Sequence, residues 1–208
     1  FEANVGNDST HNGHEYVDLG LPSGIKWATM NVGADAAEDK GGRYAWGETE
    51  TKASYSSWAT YKYSEGSYNT LTKYCYLSRY GYESFQDDKR ELELEDDAAN
   101  ANWGGDWRMP THADFNELRE NSTQTAYQEG NTEFQGIAGF KFQSNVPGYT
   151  DKWIFFPAPD ANQYYWTSTL SNSFCYSATY YQFTCKTSII RCDVSSRYNG
   201  YLVRAVLD

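Results

Sequence analysis

Apolar and polar residues alternate in several short stretches of this chain, which is the pattern of half-buried β-strands. In residues 16–29 the alternation continues on both sides of a Pro22-Ser-Gly24 turn signal and predicts two short strands. Residues 31–42 are then predicted to form a loop. Further strands are predicted near 139–144, 152–157, 164–169, 178–184, 187–192 and 201–206.

One segment, residues 91–103, shows the 3.6-residue period of a helix instead. Its acidic side chains lie toward the N-terminus, where the helix dipole favours them, and Gly104-Gly105 ends the element. The predicted buried face consists of Leu94, Ala98, Ala101 and Trp103. The pattern therefore predicts a short helix here.

A second helical segment, residues 110–121, carries a clear start signal. Thr111 is the predicted N-cap, and Asp114 takes the place of the usual Glu in a capping box. Phe115 and Leu118 are predicted to turn inward. Two helices among many short strands predict an α+β domain with one mixed, mostly antiparallel sheet.

Residues 43–85, the aromatic tract, follow neither period. Tyr and Trp recur there among Ser, Gly, Thr and Lys, beginning with Arg43-Tyr-Ala-Trp-Gly-Glu48. Such a tract cannot build a core of its own. We therefore expect it to lie across the main body of the domain, with its rings as anchors.

Composition and charge narrow the class of protein and its partners. At 208 residues, 39% hydrophobic and 17% aromatic, the chain is predicted to form one globular domain over 16–208 after a flexible lead-in at 1–15. A net charge of -11 repels phosphate backbones and anionic membranes, so no nucleic-acid partner is expected. No apolar run is long enough for a membrane span, and no signal peptide is visible.

Candidate metal and catalytic groups are sparse. The chain has four cysteines: Cys75, Cys175, Cys185 and Cys192. Their spacing forms no Cys-x-x-Cys element. The only close pair of potential zinc ligands in the sequence is His11 with His14 in the lead-in. We therefore expect no metal, no cofactor and no catalytic residues, with thiols that are unpaired or opportunistically paired. The acidic runs 87–88 and 95–97 are interpreted as a solvated face or a helix N-terminus.

The segment 171–201 has the composition of an adaptable binding surface. It contains no Glu, Met or Trp, while Tyr, Phe, Ser and Thr recur throughout. Tyr with Ser, Asn and Gly is typical of antibody paratopes, because Tyr supplies a wide amphipathic contact at low entropic cost. Half-buried strands also favour Tyr and Thr, and for any single residue this is the more frequent explanation. The interpretation as a binding surface depends on the segment as a whole.

Several motifs in order along the chain resemble one family, the Fibrobacter succinogenes major paralogous domain family of bacterial surface proteins. The motifs are Val17–Thr29, Tyr44–Glu48, Asp96–Ala99, Asn102–Thr111, Tyr165–Thr169 and Gly200–Val206. The resemblance extends from about residue 16 to the end of the chain. It implies a C-type-lectin-like fold of the branch shared with formylglycine-generating enzymes, with Trp107-Arg-Met-Pro-Thr111 leading into a helix.

Some members of that family are variable proteins of diversity-generating retroelements, in which Asn codons are miscopied at their adenines. This change yields Ser, Tyr, Cys, Phe and other residues, but never Glu, Lys, Gln, Met or Trp. Of these five excluded types, segment 171–201 holds only Gln182 and Lys186, where their share of the whole chain predicts about six residues. The resemblance therefore implies that 171–201 is a hypervariable, retroelement-diversified region.

From these observations we expect an adhesin-like, non-enzymatic protein whose C-terminal region binds a protein or glycan on another cell or surface. The expected location is extracellular or at the cell surface. Buried Trp166, Val203 and Val206 are expected to hold the backbone in place. The candidate contact residues are Phe174, Tyr176, Tyr181, Ile189, Arg191, Asp193, Ser195, Ser196, Tyr198, Asn199 and Tyr201.

Two other functions compete with this one. A lectin would stack a sugar on Trp46, Trp58 or the tyrosines, but the chain has no Glu-Pro-Asn, Trp-Asn-Asp or Asp-x-Asp-x-Asp-Gly calcium motif. An oxidase of the formylglycine-generating type needs a reactive cysteine pair. Cys185 and Cys192 have no activating His nearby in the sequence, and His112 in the first turn of a helix is expected to be exposed.

Overall fold

The computed structural model describes residues 9–160 and 162–208, which form an α+β structure. The strands are β1 (Thr10–His11), β2 (His14–Val17), β3 (Lys26–Asn31), β4 (Trp107–Arg108), β5 (Ser122–Tyr127), β6 (Gly139–Ser144), β7 (Trp153–Pro157), β8 (Gln163–Leu170), β9 (Ser177–Thr184), β10 (Ile189–Ser196) and β11 (Arg204–Leu207). The α-helices are α1 (Ala98–Trp103) and α2 (His112–Glu120).

The strands form three sheets, in the orders β1-β2-β3-β11-β4, β10-β9-β8 and β5-β6-β7. Every ladder among the described strands is antiparallel, and parallel contacts occur only as single bridges such as that between Tyr165 and Leu202. The prediction of mostly antiparallel strands with two helices is confirmed. The single sheet was wrong, because residues 197–203 reach β8 through an isolated bridge rather than a continuous ladder.

Strand pairing begins inside the predicted lead-in. Thr10 pairs with Glu15 and His11 with His14, so these residues belong to the five-stranded sheet. The first eight residues of the predicted lead-in lie outside the described part of the chain.

Helix α2 begins as its sequence predicts. The Thr111 hydroxyl accepts a hydrogen bond from the Asp114 backbone at 3.1 Å, and the Asp114 carboxylate accepts one from the Thr111 backbone at 2.8 Å. This reciprocal pair satisfies two N–H groups that the helix itself cannot use. Phe115 and Leu118 are fully buried, as predicted. The helix start is therefore anchored at a defined point beside the sheet β8-β9-β10.

Helix α1 is shorter than the predicted helix. Asp97 is its N-cap and accepts hydrogen bonds from the Ala99 and Asn100 backbones at 2.8 and 3.1 Å, so the helix cannot extend further toward the N-terminus. Leu94 therefore lies before the helix and is exposed, and Ala101 also faces solvent. Ala98 and Trp103 are buried as predicted, but the other two members of the predicted face were wrong.

The aromatic tract lies across the main body and is anchored by buried rings, as expected. Tyr61 and Tyr74 are almost fully covered, and the Tyr61 hydroxyl donates to the Trp46 carbonyl at 2.8 Å. Buried Asp96 accepts a hydrogen bond from the Tyr74 hydroxyl at 2.6 Å and forms a 2.5 Å ion pair with Lys73. The predicted acidic run thus includes a buried structural carboxylate.

The C-terminal strand lies at the centre of the molecule. Trp166, Val203 and Val206 are fully buried, which confirms their predicted burial. Arg204 is fully buried as well and donates to Asn31 Oδ1 at 2.8 Å and to the Phe155 carbonyl at 2.9 Å. These bonds link β11 to its neighbour β3 and to β7 of another sheet.

Candidate functional site

The segment 171–201 folds into a loop, strand β9, a turn at 185–188 and strand β10. Residues 197–201, which lead back toward β11, form the return loop. Strand β9 is the middle strand of its sheet, whereas β10 is at the edge. The two strands pair in register from Ile189 opposite Thr184 to Ser196 opposite Ser177. One strand of the segment is therefore held between two neighbours while the other meets solvent.

Tyr181, a predicted contact residue, lies in the core and cannot meet a ligand in this structure. Its ring stacks on Phe115 at 4.4 Å, and its hydroxyl donates to Asn116 Oδ1 at 2.7 Å. The side chain is fully covered, and burial raises the pKa of its phenol. The prediction was wrong here because β9 alternates within a sheet that packs against α2.

The predicted contacts on β10 lie on an exposed face. Arg191 and Asp193 are exposed, and Ser195 is half-buried with its hydroxyl 2.8 Å from the Tyr201 hydroxyl. The Asn199 amide donates to Ser195 Oγ at 2.8 Å. Because side chains alternate along a strand, Arg191, Asp193 and Ser195 lie on the same side of the sheet. They form a polar strip that continues into the return loop.

A tyrosine cluster made of Tyr164, Tyr180 and Tyr201 lies beside this strip. Ring centroids are 4.9 Å apart for Tyr164 and Tyr201, and 5.2 Å apart for Tyr180 and Tyr201. Burial raises the pKa of Tyr180 to about 12, so its phenol is uncharged at neutral pH. A small cleft next to Tyr164 and Tyr201 is also lined by exposed Arg43. The cluster offers flat rings and hydroxyl groups to a ligand.

A second aromatic group joins the segment to the aromatic tract. The Phe174 ring stacks on Tyr176 at 5.1 Å, and Tyr176 contacts Tyr68 at 5.4 Å and Tyr80 at 5.2 Å. Tyr68 and Phe174 are 49% and 39% exposed, which leaves their faces available. Tyr68 and Tyr80 were missed as candidates. The sequence shows the spaced tyrosines of the tract but not their contact with Tyr176.

The remaining predicted contacts lie around the return loop and at the ends of β10. Tyr198 is half-buried and packs edge-on against Trp58 with centroids 5.1 Å apart. Ile189 and Ser196, the first and last residues of β10, are also half-buried. Trp46, a candidate for sugar stacking, belongs to the aromatic tract and is fully buried, so that prediction was wrong.

Arg197 lies inside the segment but is fully buried, and sequence reasoning missed its role. Its guanidinium donates to the Tyr61 hydroxyl at 2.8 Å and to the carbonyls of Tyr74, Cys175 and Lys73 at 3.2, 3.0 and 3.0 Å. All five donors of an arginine seek partners when buried, so these bonds fix the tract against the return loop. Nothing in a Ser/Tyr-rich sequence marks this position.

A polar cluster lies on the opposite side of the sheet from the polar strip. Cys192 Sγ is 3.5 Å from His112 Nδ1, and His112 Nε2 is 2.9 Å from the Asn116 amide. His112 is half-buried, so its expected exposure was wrong, and the fold brings it beside Cys192 although the two are far apart in the sequence. The pKa of the Cys192 thiol is raised, mainly by burial, which disfavours the thiolate.

The histidine pair at the start of the chain has structural contacts. His14 stacks on Trp103 with centroids 4.0 Å apart, and His11 Nε2 accepts from the Asp106 backbone at 3.3 Å. In the described ranges, no three His, Cys, Asp or Glu side chains are grouped closely enough to hold a metal ion. The described residues also include no helix with the length and apolar character needed to cross a bilayer.

Comparisons with protein-family models, with curated proteins and with solved structures gave no match to this chain.

Proposed function

We propose that this protein is a non-enzymatic, adhesin-like binding domain of a bacterial surface protein. In this proposal it has a C-type-lectin-like fold of the formylglycine-generating-enzyme branch, and a retroelement diversifies its region 171–201. The observation that carries the proposal is the placement of β10, which is an exposed strand at the edge of its sheet. It pairs with the largely buried strand β9 and is followed by the return loop, which buried Arg197 fixes. Its ligand is a protein or glycan on another cell or surface.

The energetics of the segment support this function. Exposed side chains on β10 make few buried contacts, so their replacement changes the free energy of unfolding by less than about 0.5 kcal/mol. The backbone beneath them is fixed by the ladder to β9 and by the hydrogen bonds of Arg197. Such a surface can change its side chains while the fold persists.

The exposed aromatics and Arg191 are the expected anchors for a ligand, because Tyr, Trp and Arg dominate binding hot spots. Phe174 and Tyr176 form one anchor group with Tyr68 and Tyr80, and the tyrosine cluster forms another. Segment 171–201 contains three basic residues and one acidic residue in a chain with a net charge of -11. The binding surface is therefore less acidic than the rest of the molecule.

A binding screen with matched variants tests the proposal. The labelled protein is applied to an array of bacterial and host surface proteins and to a glycan array, with and without calcium. The triple variant Arg191→Ser, Asp193→Ser, Tyr198→Ser should lose any binding that the native protein shows. The control triple Glu15→Ser, Asp106→Ser, Glu120→Ser changes three exposed residues outside the segment and should retain it. Equal loss in both triples, or retention in both, would contradict the proposed site.

The diversification has its own test. Sequencing around the gene should find a near-identical repeat that differs only at adenines, next to a reverse transcriptase. Independent copies of the gene should differ at exposed positions such as Arg191 and Asp193 and agree at buried Tyr181 and Arg197. Absence of the repeat would remove the retroelement from the proposal.

A carbohydrate-binding lectin is the second candidate, favoured by the half-buried Trp58 beside Tyr198. An aromatic pair of this kind can stack on a pyranose ring. Binding on the glycan array that is lost in Trp58→Ala and unchanged by calcium chelation would select this function.

An oxidase is the least favoured candidate. Cys185 is 3% exposed and Cys192 faces His112, and the pKa of each thiol is raised by burial. Reactive cysteines in enzymes instead have lowered pKa values. Loss of a measured function after thiol alkylation of Cys192 would reopen this candidate.

A further inference from the structure

Two cysteines from distant parts of the chain meet beneath the segment 171–201. Cys75 belongs to the aromatic tract and Cys175 to the loop before β9, and both are fully buried. The Tyr76 backbone, directly after Cys75, donates to Cys175 Sγ at 3.2 Å, and the Cys75 thiol donates to the Leu77 carbonyl at 3.2 Å. The Cys175 sulfur therefore lies against the backbone next to Cys75.

Arg197 holds the two backbones together. One guanidinium nitrogen, Nη1, donates both to the Tyr74 carbonyl at 3.2 Å and to the Cys175 carbonyl at 3.0 Å. A single nitrogen can reach both acceptors only if the chain around Cys75 runs close beside Cys175. The juxtaposition of the sulfurs is thus imposed by the fold around them.

The pKa values of the two thiols are shifted in opposite directions. The interaction between the two thiols lowers the pKa of Cys175 and raises that of Cys75. A thiolate is the attacking species in thiol–disulfide exchange. Cys175 is therefore the sulfur prepared to react first.

We propose that Cys75 and Cys175 are a disulfide-forming pair that covalently joins the aromatic tract to the segment 171–201. The oxidant is a small-molecule disulfide. The Cys175 thiolate attacks one of its sulfurs and releases one thiolate; the Cys75 thiolate then attacks the Cys175 sulfur of the mixed disulfide and releases the second. The S–S bond of the oxidant is broken, one protein S–S bond is formed, and the two cysteine protons end on the released thiols.

The location of the pair sets when the bond forms. Because both sulfurs are fully covered, the oxidant reaches them before the tract packs onto the domain or when the tract opens. The link joins residues 100 positions apart along the chain, so it constrains a long loop of the unfolded state. The inference concerns the fold and is independent of any ligand.

The test is refolding of the full chain from urea in a mixture of reduced and oxidised glutathione. Free thiols are then alkylated under denaturing conditions, and proteolytic peptides are identified by mass spectrometry. Peptides containing Cys75 and Cys175 should be linked, while Cys185 and Cys192 should be alkylated. Reduction should lower the Tm of the oxidised protein by roughly 5 to 10 °C.

Two double variants separate this pair from the other thiols. Sensitivity of the Tm to reductant should disappear in Cys75→Ala/Cys175→Ala and persist in Cys185→Ala/Cys192→Ala. If the first variant does not fold, the second still allows the link to be identified by mass spectrometry. Four alkylated cysteines after oxidative refolding, a link between other cysteines, or a Tm unchanged by reductant in the native protein would overturn the inference.

Discussion

Strands β9 and β10 are paired residue by residue and have the same length, yet they have opposite environments. In β9 five of eight residues are buried, whereas in β10 none is buried and four are exposed. Both strands belong to the segment that the sequence marks as one variable surface. The difference shows that the composition of a segment does not identify its exposed residues.

The comparison limits where the segment can change freely. Replacements in β9 alter the packing against α2, as the contacts of Tyr181 with Phe115 and Asn116 show. Replacements at Arg191 or Asp193 in β10 alter only the surface. A binding site that tolerates variation is therefore expected on β10 and the loops at its ends.

The largest contrast is expected in thiol reactivity. Cys185 follows β9, is 3% exposed, and has a pKa raised to about 11 by burial, whereas Cys192 on β10 is exposed. At pH 8 only about one Cys185 in a thousand is a thiolate, and its sulfur is covered. The pKa of Cys192 is raised as well, but its side chain is exposed, so native iodoacetamide labelling should modify Cys192 much faster. The thiolate fraction of Cys185 should rise about tenfold per pH unit up to pH 11.

Peptide-level mass spectrometry at timed intervals provides the two labelling rates. Unfolding in urea is the control and should bring them close together. Similar rates in the native protein would mean that the two strands are equally accessible.

The next largest contrast is in stability. Tyr181→Ala removes a fully buried ring and should lower the free energy of unfolding by about 3 to 5 kcal/mol. Arg191→Ala removes an exposed side chain and should change it by less than about 0.5 kcal/mol. Urea denaturation followed by circular dichroism measures both. Comparable losses in the two variants would remove the distinction between the strands.

Two arginines six positions apart give a third comparison. Arg197→Met keeps most of the side-chain volume but leaves three buried carbonyl oxygens without their donor, so a loss of about 2 to 4 kcal/mol is expected. Arg191→Met should be almost neutral. Thermal and urea unfolding of the two variants measure both changes in stability. If Arg197→Met were as stable as the native protein, other contacts would hold the return loop.

The smallest expected effect lies within β10 itself. The Ser195 hydroxyl bonds to Tyr201 and Asn199, so Ser195→Ala should cost about 0.5 to 1 kcal/mol. The control Asp193→Ala should cost less than Ser195→Ala because its side chain is exposed. Differential scanning calorimetry of the two variants resolves a difference of this size. A larger loss of stability in Asp193→Ala than in Ser195→Ala would contradict the burial and hydrogen bonds described for the polar strip.

The elements that could be predicted are those specified by residues close together in the sequence. Thr111 and Asp114 specify the start of α2 through bonds between neighbours in sequence, so the capping box could be read directly. Alternation located β6 and β9, and runs of aromatic and β-branched residues located β7 and β8. Strand β5 was missed, since Ser122–Tyr127 is mostly polar and gains its order by pairing with β6.

Features that depend on distant partners could not be predicted. Arg197 is buried because the hydroxyl of Tyr61 and carbonyls from two other parts of the chain converge on it. His112 meets Cys192 only because α2 packs beside β10. The sequence contains each of these residues but not their proximity. The candidate site could thus be proposed from the sequence only as a segment, and its division into buried and exposed residues required the structure.

The edge position of β10 has a consequence for solubility. The outer backbone groups of an edge strand can pair with the same strand of another molecule, and natural proteins prevent this with charges along the edge. Arg191 and Asp193 occupy such positions here, beside Val194, which is 42% exposed. A copy of the gene that replaced both charges with apolar residues would invite fibre-like stacking. Under the proposed diversification, selection for a new ligand would therefore act together with selection against self-association.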